Sequence, residues 1–171
     1  MKKIFQWFSV IAVMLLNGCK SDPGIPAVTG FQLDRYLGKW YEAARLPNRF
    51  ERGMSRVYAE YTMLDNGTVH VLNCGIKNGK PVTISGYARL SDDPETGDLE
   101  VSFFRPFYSM YRIIKLAPDY SYSIVTGSSR DYLWVLSRKP ELTSAEQAEI
   151  IAFLQKHQFP VKDLLWSWQD E

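Results

Sequence analysis

Two histidines, two cysteines and 19 carboxylates are the groups in these 171 residues that could carry covalent, metal or acid–base chemistry, and their spacing argues against most of it. His70 lies in an alternating apolar run and His157 near the end of a helical pattern, with no HExxH, no paired-cysteine motif and no zinc spacing. Gly-x-Ser-x-Gly is absent, as are the glycine patterns of phosphate and dinucleotide loops. The acidic stretch from Asp92 to Asp98 lacks the ligand order of a calcium loop and reads as a solvated hairpin. No catalytic residue, metal or cofactor is expected. Cys74 has no histidine or cationic cluster beside it to activate its thiol and reads as a small strand residue.

Cys19 is different. It follows Lys2, Lys3 and an apolar stretch from Ile4 to Leu16, which has the length of an export signal and is too short to span a bilayer. Leu16-Asn17-Gly18-Cys19 resembles the bacterial lipobox, in which the signal is cut just before a cysteine that then carries acyl chains on its thiol and its new amino group. That resemblance implies a signal peptide over residues 1–18 and lipid attachment at Cys19. Lys20 stands where inner-membrane lipoproteins of enteric bacteria often carry Asp, which implies anchoring in the outer membrane, at its periplasmic face. Two or more acyl chains make such an anchor stable, because each buried methylene contributes about 0.8 kcal/mol. Residues 19–30, with Pro23, Gly24 and Pro26, read as a flexible tether, and 31–171 as one domain. Acylation leaves Cys74 without a disulfide partner, so the exported domain must be stable from its core alone. Loss of Lys2 and Lys3 leaves 18 cations against 19 carboxylates, a balance that excludes a nucleic-acid partner and bulk-charge steering.

The elements that position these residues alternate with period two. Aromatic residues make up 14% of the chain and sit largely in β-branched or alternating runs, which points to a sheet protein. Turn signals at 64–68, 77–80, 92–98, 116–120 and 127–131 divide the chain into hairpin-length segments, predicting strands near 40–46, 54–65, 68–76, 81–91, 98–104, 109–117, 120–127 and 131–138. Eight antiparallel strands joined by short hairpins most economically close into an up-and-down barrel, an all-β fold without exposed edges and with a ligand-sized interior. Thr143 and Glu146 form a capping box that starts a helix running to about His157, with Ala148, Ile151 and Leu154 on its apolar face beside Ile150 and the helix packed outside the barrel. Pro160 stops it, and a short strand or extended tail follows.

Gly38-Lys39-Trp40, Asp119-Tyr120 and Arg138 resemble, in order and spacing, the three signature blocks of the lipocalins. The runs at 38–53, 101–116 and 130–138 are similar to the bacterial outer-membrane lipoprotein lipocalins and to apolipoprotein D. The resemblance implies that Trp40 plugs the closed end of the barrel, that Arg138 lies across it, and that Gly38, Trp40, Asp119 and Arg138 are structural. Parity along the strands then turns Tyr132, Trp134 and Leu136 inward with Arg138, and Glu42 and Ala44 inward with Trp40. By resemblance to apolipoprotein D, Trp134 and Leu136 line the pocket. Glu42, a carboxylate in an apolar calyx, needs a partner; Arg49 and Arg52 are near in sequence, and Arg45 has the opposite parity.

Phe103, Phe104, Phe107, Tyr108 and Tyr111 crowd the region around Pro106, with Phe107 and Tyr108 expected at the open mouth to admit lipid or to meet a membrane or a partner subunit, a homodimer included. The function this implies is a lipid-anchored binding protein for fatty acids or lysophospholipids, with Glu42, Ala44, Tyr132, Trp134, Leu136, Phe107 and Tyr108 as its ligand-binding residues. Two other classes remain: a lipocalin-fold enzyme, whose acid–base pair would be Glu42 and Tyr132, and a structural envelope lipoprotein with a filled barrel.

Overall fold

Alternation of apolar and polar side chains commits each segment to burying one face, and the chain does so by rolling its strands into a barrel. The computed structural model describes residues 24–167; the signal segment, Cys19 and the start of the tether lie outside the described residues. Eight strands follow in order: β1 (Gly38–Arg45), β2 (Met54–Met63), β3 (Val69–Lys77), β4 (Lys80–Leu90), β5 (Asp98–Phe104), β6 (Phe107–Leu116), β7 (Tyr122–Thr126) and β8 (Leu133–Ser137). Each pairs antiparallel with the next, and β1 pairs with both β8 and β2, which closes the cylinder. The hairpins use the turn chemistry of their residues. Asn78 and Gly79, both at positive φ (53° and 71°), form the two-residue turn between β3 and β4, a conformation asparagine and glycine tolerate best.

One element was not foreseen: a four-residue helix, α1 (Leu33–Tyr36), precedes β1. The short strand expected after Pro160 is present as the two-residue β9 (Leu165–Trp166), which follows a 3-10 turn at Val161–Asp163. β9 pairs with Ala44 and Arg45 of β1, whereas β2 pairs with β1 only from Gly38 to Tyr41. One half of the β1–β2 seam is therefore split, with the chain's C-terminal strand laid along β1.

Burial separates into two apolar clusters on the two sides of the wall. The inner one holds Phe31, Tyr36, Trp40, Tyr61, Val69, Val71, Leu99, Ile113, Val125 and Leu136. The outer one packs Ile114, Ile124, Leu133 and Val135 of the wall against Ile150 and Leu154 of α2 (Ser144–Lys156). Thr143 caps that helix: its Oγ1 accepts from Glu146 N at 3.2 Å while Thr143 N donates to Glu146 Oε2 at 2.8 Å. The buried face is Ile150 and Leu154 with Phe153 packed beside them, and Ala148 is exposed. The apolar stripe is thus rotated from the predicted one, because the helix docks through its bulkier residues.

At one end of the cylinder Trp40 is fully buried. Its Nε1 donates to Tyr36 O at 2.7 Å, and the Arg138 guanidinium lies 3.9 Å from its ring centroid. Arg138 also donates from Nη1 to Lys39 O at 2.9 Å and from Nη2 to Arg35 O at 2.7 Å, so one side chain ties β8 to β1 and α1 across the floor. Gly38 sits at φ 89°, a backbone conformation that favours glycine, while a Cβ there would meet Arg138 Nη1 only in ordinary contact at 3.5 Å.

Trp40→Ala is expected to lower unfolding free energy by about 3–5 kcal/mol, the cost of a large buried cavity. Arg138→Met, which keeps the aliphatic stem and removes the cation, is expected to cost about 1–2 kcal/mol. Urea unfolding followed by near-UV circular dichroism measures both, and equal losses would show that the plug does not depend on its ring.

Candidate ligand-binding site

Strand direction decides which end of the barrel is open. The floor holds Trp40, α1 and the turns after β2, β4 and β6; the mouth is built from the β1–β2 loop at 46–53 and the turns after β3, β5 and β7. Residues directly opposed across the strands share a face, so the register assigns each side chain to lumen or exterior. The lower lumen is filled by Val69, Val71, Ala88, Leu99 and Val125, all buried. Nearer the mouth the inward positions Val82, Phe103 and Trp134 keep partial exposure, Ser109 is exposed, and Ile84 is 42% exposed while facing the lumen. The barrel is thus packed below and open above. Phe103 lies against the backbone of Gly86, where a Cβ would come within 2.6 Å of its ring, so the glycine lets an aromatic wall lie flat inside.

Three tyrosines meet between the packed and the open halves. Tyr36 OH and Tyr111 OH are 2.8 Å apart, Tyr61 OH and Tyr111 OH 3.0 Å, and Tyr36 OH reaches Ser123 Oγ at 3.2 Å. Burial pushes the Tyr36 phenol up to about 12 and those of Tyr61 and Tyr111 upward as well, so all three remain protonated and polar without being charged. These hydroxyls are the polar feature at the bottom of the lumen. Sequence reading had placed Tyr111 near the mouth; parity along β6 carries it down and inward.

A second polar cluster sits at the mouth. Arg45 Nη1 donates to Glu42 Oε1, and Ser167 Oγ donates to the same oxygen at 2.7 Å. Arg45 Nη2 donates to the carbonyls of Glu51 at 3.2 Å and Met54 at 3.1 Å, which laces β1 to β2 where their pairing has stopped. Glu51 Oε2 accepts from Trp134 Nε1 at 2.9 Å and from Asn48 Nδ2 at 2.7 Å. The Trp134 ring stacks on Tyr132 at 6.2 Å, and Tyr132 meets Phe50 at 6.2 Å, which extends an aromatic ladder from lumen to rim. One buried guanidinium thus stands between two carboxylates. Burial first, and then the Glu51 carboxylate, push the Glu42 carboxyl up to about 7, against the pull of Arg45 and Ser167.

Several sequence expectations change here. A β-bulge between Glu42 and Ala44 inserts one extra residue opposite β8, so Glu42 opposes inward Leu136, but Ala44 opposes outward Val135. Ala44 therefore lies in the outer cluster, off the lumen, and Arg45 turns inward to Glu42 against the parity expected of it. Tyr108 is not at the mouth: it faces outward beneath Arg89, whose guanidinium lies 4.1 Å from its ring, because it alternates with inward Ser109. Phe107 is at the rim, 69% exposed, paired with Phe104 at 76%. Glu42 is engaged by Arg45 and Ser167, and Tyr132 by Phe50 and Trp134. Asp119 lies in the floor turn after β6 and accepts from Ser121 N at 3.0 Å; the Ser121 hydroxyl first, and then that backbone N–H, hold its carboxyl below the usual range. Glu51, Asn48, Ser167, Tyr36 and Tyr61 were not singled out, since none belongs to a spaced motif.

Residues 31–169 match the family model described as the lipocalin-like domain. The outer membrane lipoprotein Blc of Citrobacter freundii is 39% identical over 163 residues, which cover 92% of each chain. Apolipoprotein D of Rattus norvegicus is 34% identical over 134 residues, covering 70% of this chain and 67% of its own. Among solved structures, the cockroach allergen Per a 4 shares the fold with a TM-score of 0.69 at 22% identity, covering 86% of this chain and 94% of its own.

The Glu42 pair predicts a pH dependence. The unfolded chain releases the Glu42 proton near pH 4.5, while the native state holds it until about pH 7, so native stability falls across that window and levels off above it. Glu42→Gln has no such proton to lose. Its stability is expected to gain on that of the parent by roughly 1–3 kcal/mol between pH 5 and pH 8, measured as the difference in denaturant midpoints; parallel pH profiles would contradict the assignment.

Proposed function

The chain belongs to the lipocalin-like family, and we propose that it is a lipid-anchored carrier that stores or moves fatty acids or lysophospholipids at the periplasmic face of a bacterial outer membrane. The observation that carries this reading is the open upper lumen. Its inward side chains are apolar and aromatic and stay accessible above a sealed floor, the form of a hydrocarbon site with few polar groups. In this reading residues 1–18 are the signal and Cys19 bears the acyl chains; of the tether expected over 19–30, the part from Ile25 onward is docked on the barrel, with Ile25 in the outer core and Val28 bonded to Ile113 and Gly97, and so belongs to the binding domain. The relatives named outer membrane lipoprotein support that location.

An acyl chain enters with its tail toward the tyrosine trio and its head at the mouth. Burying sixteen carbons yields on the order of 12 kcal/mol at about 0.8 kcal/mol per methylene. Lost motion and ordering remove several to more than 10 kcal/mol of it. Micromolar to nanomolar affinity therefore needs no covalent chemistry. Phe103, Trp134 and Leu136 supply wall, and Tyr132 with Phe107 lines the approach. Glu42, held by Arg45, acts as a brace of the mouth.

Titration of the protein with lysophospholipid is expected to shift Trp134 emission saturably, and native mass spectrometry to find the lipid bound one to one. Ser109→Trp, which fills the open lumen from β6, is expected to weaken binding at least tenfold with little change in thermal midpoint. Neither a saturable shift nor bound lipid in the parent protein would reject the reading.

A further inference from the structure

The chain as a whole is near neutral, but its charge is not evenly spread. The mouth loops carry Arg49, Arg52 and Arg56 on the β1–β2 segment, Lys77 and Lys80 flanking the next turn, Arg105 in the third and Arg130 in the fourth, against Glu51 and Asp131 on the same loops, with Glu42 beneath them paired to Arg45. The floor is mixed: its turns carry Asp65 after β2, Asp92, Asp93 and Glu95 after β4, and Asp119 after β6, while Arg35, Lys39, Arg138 and Lys139 stand at the same end around α1 and the end of β8. The mouth is also where large apolar side chains protrude. Phe50, Phe104 and Phe107 are 61%, 76% and 69% exposed, on two loops that face each other across the ring of strands. Protruding aromatics set among cations match a surface that offers phosphate outside and hydrocarbon just beneath.

The course of the N-terminal segment points the same way. Phe31 N donates to Glu95 O at the floor, Val28 N to Ile113 O at 2.9 Å, and the Ile25 carbonyl accepts from Arg112 Nη1 at 3.4 Å. Followed backward, the chain climbs the outer wall of β6 from the floor turn toward the mouth. Five residue steps separate Gly24 from Cys19, a reach of up to about 18 Å, and five separate Arg112 from Phe107 at the rim, about 16 Å. An anchor at Cys19 can therefore lie level with the mouth.

Resting on the carrier reading above, we propose that the mouth rim docks face-down on an anionic lipid bilayer, the same leaflet that holds the acyl chains of Cys19. Phe50, Phe104 and Phe107 enter the interfacial zone, and Arg49, Arg52 and Arg105 hold phosphate head groups. The calyx then opens directly onto the leaflet, and an acyl chain passes between them without crossing bulk water.

Hydrogen exchange of the acylated protein on phosphatidylcholine vesicles, with and without phosphatidylglycerol, tests this. Amides of 47–53 and 104–108 are expected to exchange at least threefold more slowly when phosphatidylglycerol is present, the floor turn 91–97 to be unchanged, and the protection to fall with added salt. The combined variant Arg49→Glu, Arg52→Glu, Arg105→Glu is expected to lose that protection while still floating with the vesicles and still taking up lysophospholipid from solution. Rim amides indifferent to phosphatidylglycerol, protection at the floor, or protection that tracks protein density on the vesicle, as a second copy covering the mouth would give, each overturns the proposal. A rim that is protected on a protein that takes up no lysophospholipid would instead overturn the carrier reading and leave the docking surface standing.

Discussion

The seal of Trp40 beneath Arg138 is the contact on which the rest of the barrel depends. An unfilled lumen forfeits the dispersion contacts that a packed interior supplies, so a barrel can keep one half open only if the other half and the outer wall hold the strands in place. Here Arg138 binds β8 to β1 and to α1 by two hydrogen bonds to backbone carbonyls and covers the indole at 3.9 Å. The outer cluster beneath α2 braces the opposite side of β6, β7 and β8, strands whose inner face looks partly onto the opening. Sealing and bracing together let Val82, Phe103 and Trp134 remain unburied.

One inserted residue at Ala43 redirects the mouth half of β1. Without the bulge Arg45 would point out toward β9 and Ala44 into the lumen; with it, a cation enters the barrel wall beside Glu42. A buried guanidinium is tolerable when most of its donors are used: Arg45 commits Nη1 and Nη2 to Glu42, the carbonyls of Glu51 and Met54, and Ser167, while Nε faces Glu51 Oε2 across 3.8 Å. Those acceptors come from β1, the loop before β2, β2 itself and the residue after β9. The same side chain that closes the split in the wall thus also fixes the loop whose Glu51 holds Trp134. The polar groups of the mouth form one connected network, and the position of the aromatic wall follows from it.

Features set by neighbours in sequence were legible, and features set by partners across the barrel were not. Thr143 and Glu146 are three residues apart and form the capping box that spacing predicts, because both halves of that interaction lie within one helical turn. Strand order, closure and the external helix followed from alternation and turn residues. The bulge did not, since Glu42-Ala43-Ala44-Arg45 contains no glycine or proline to mark it, and only the requirement to satisfy Glu42 hinted at it. Parity counting failed from that residue onward in β1, moving Ala44 out and Arg45 in. In the aromatic run before and after Pro106, composition showed that large side chains gather there; alternation then sends Phe103 and Tyr111 inward, Tyr108 outward and only Phe104 and Phe107 to the rim. Ser167 was invisible because its partner, Glu42, lies 125 positions away.

Net charge was the wrong quantity to read for the mouth. A charge that sums to almost nothing over the whole chain cancels at long range only. At physiological ionic strength the Debye length is about 8 Å. The wall of β2 alone is 10 residues long, about 33 Å of strand before tilt. A charged surface brought to one end of the barrel is screened from the loops at the other. Arg49, Arg52 and Arg105 then act chiefly against Glu51 and Asp131, the carboxylates of the mouth loops, and the acidic floor turns contribute almost nothing. The cationic rim thus follows the same division that the interior shows, between an end built to be closed and an end built to be met.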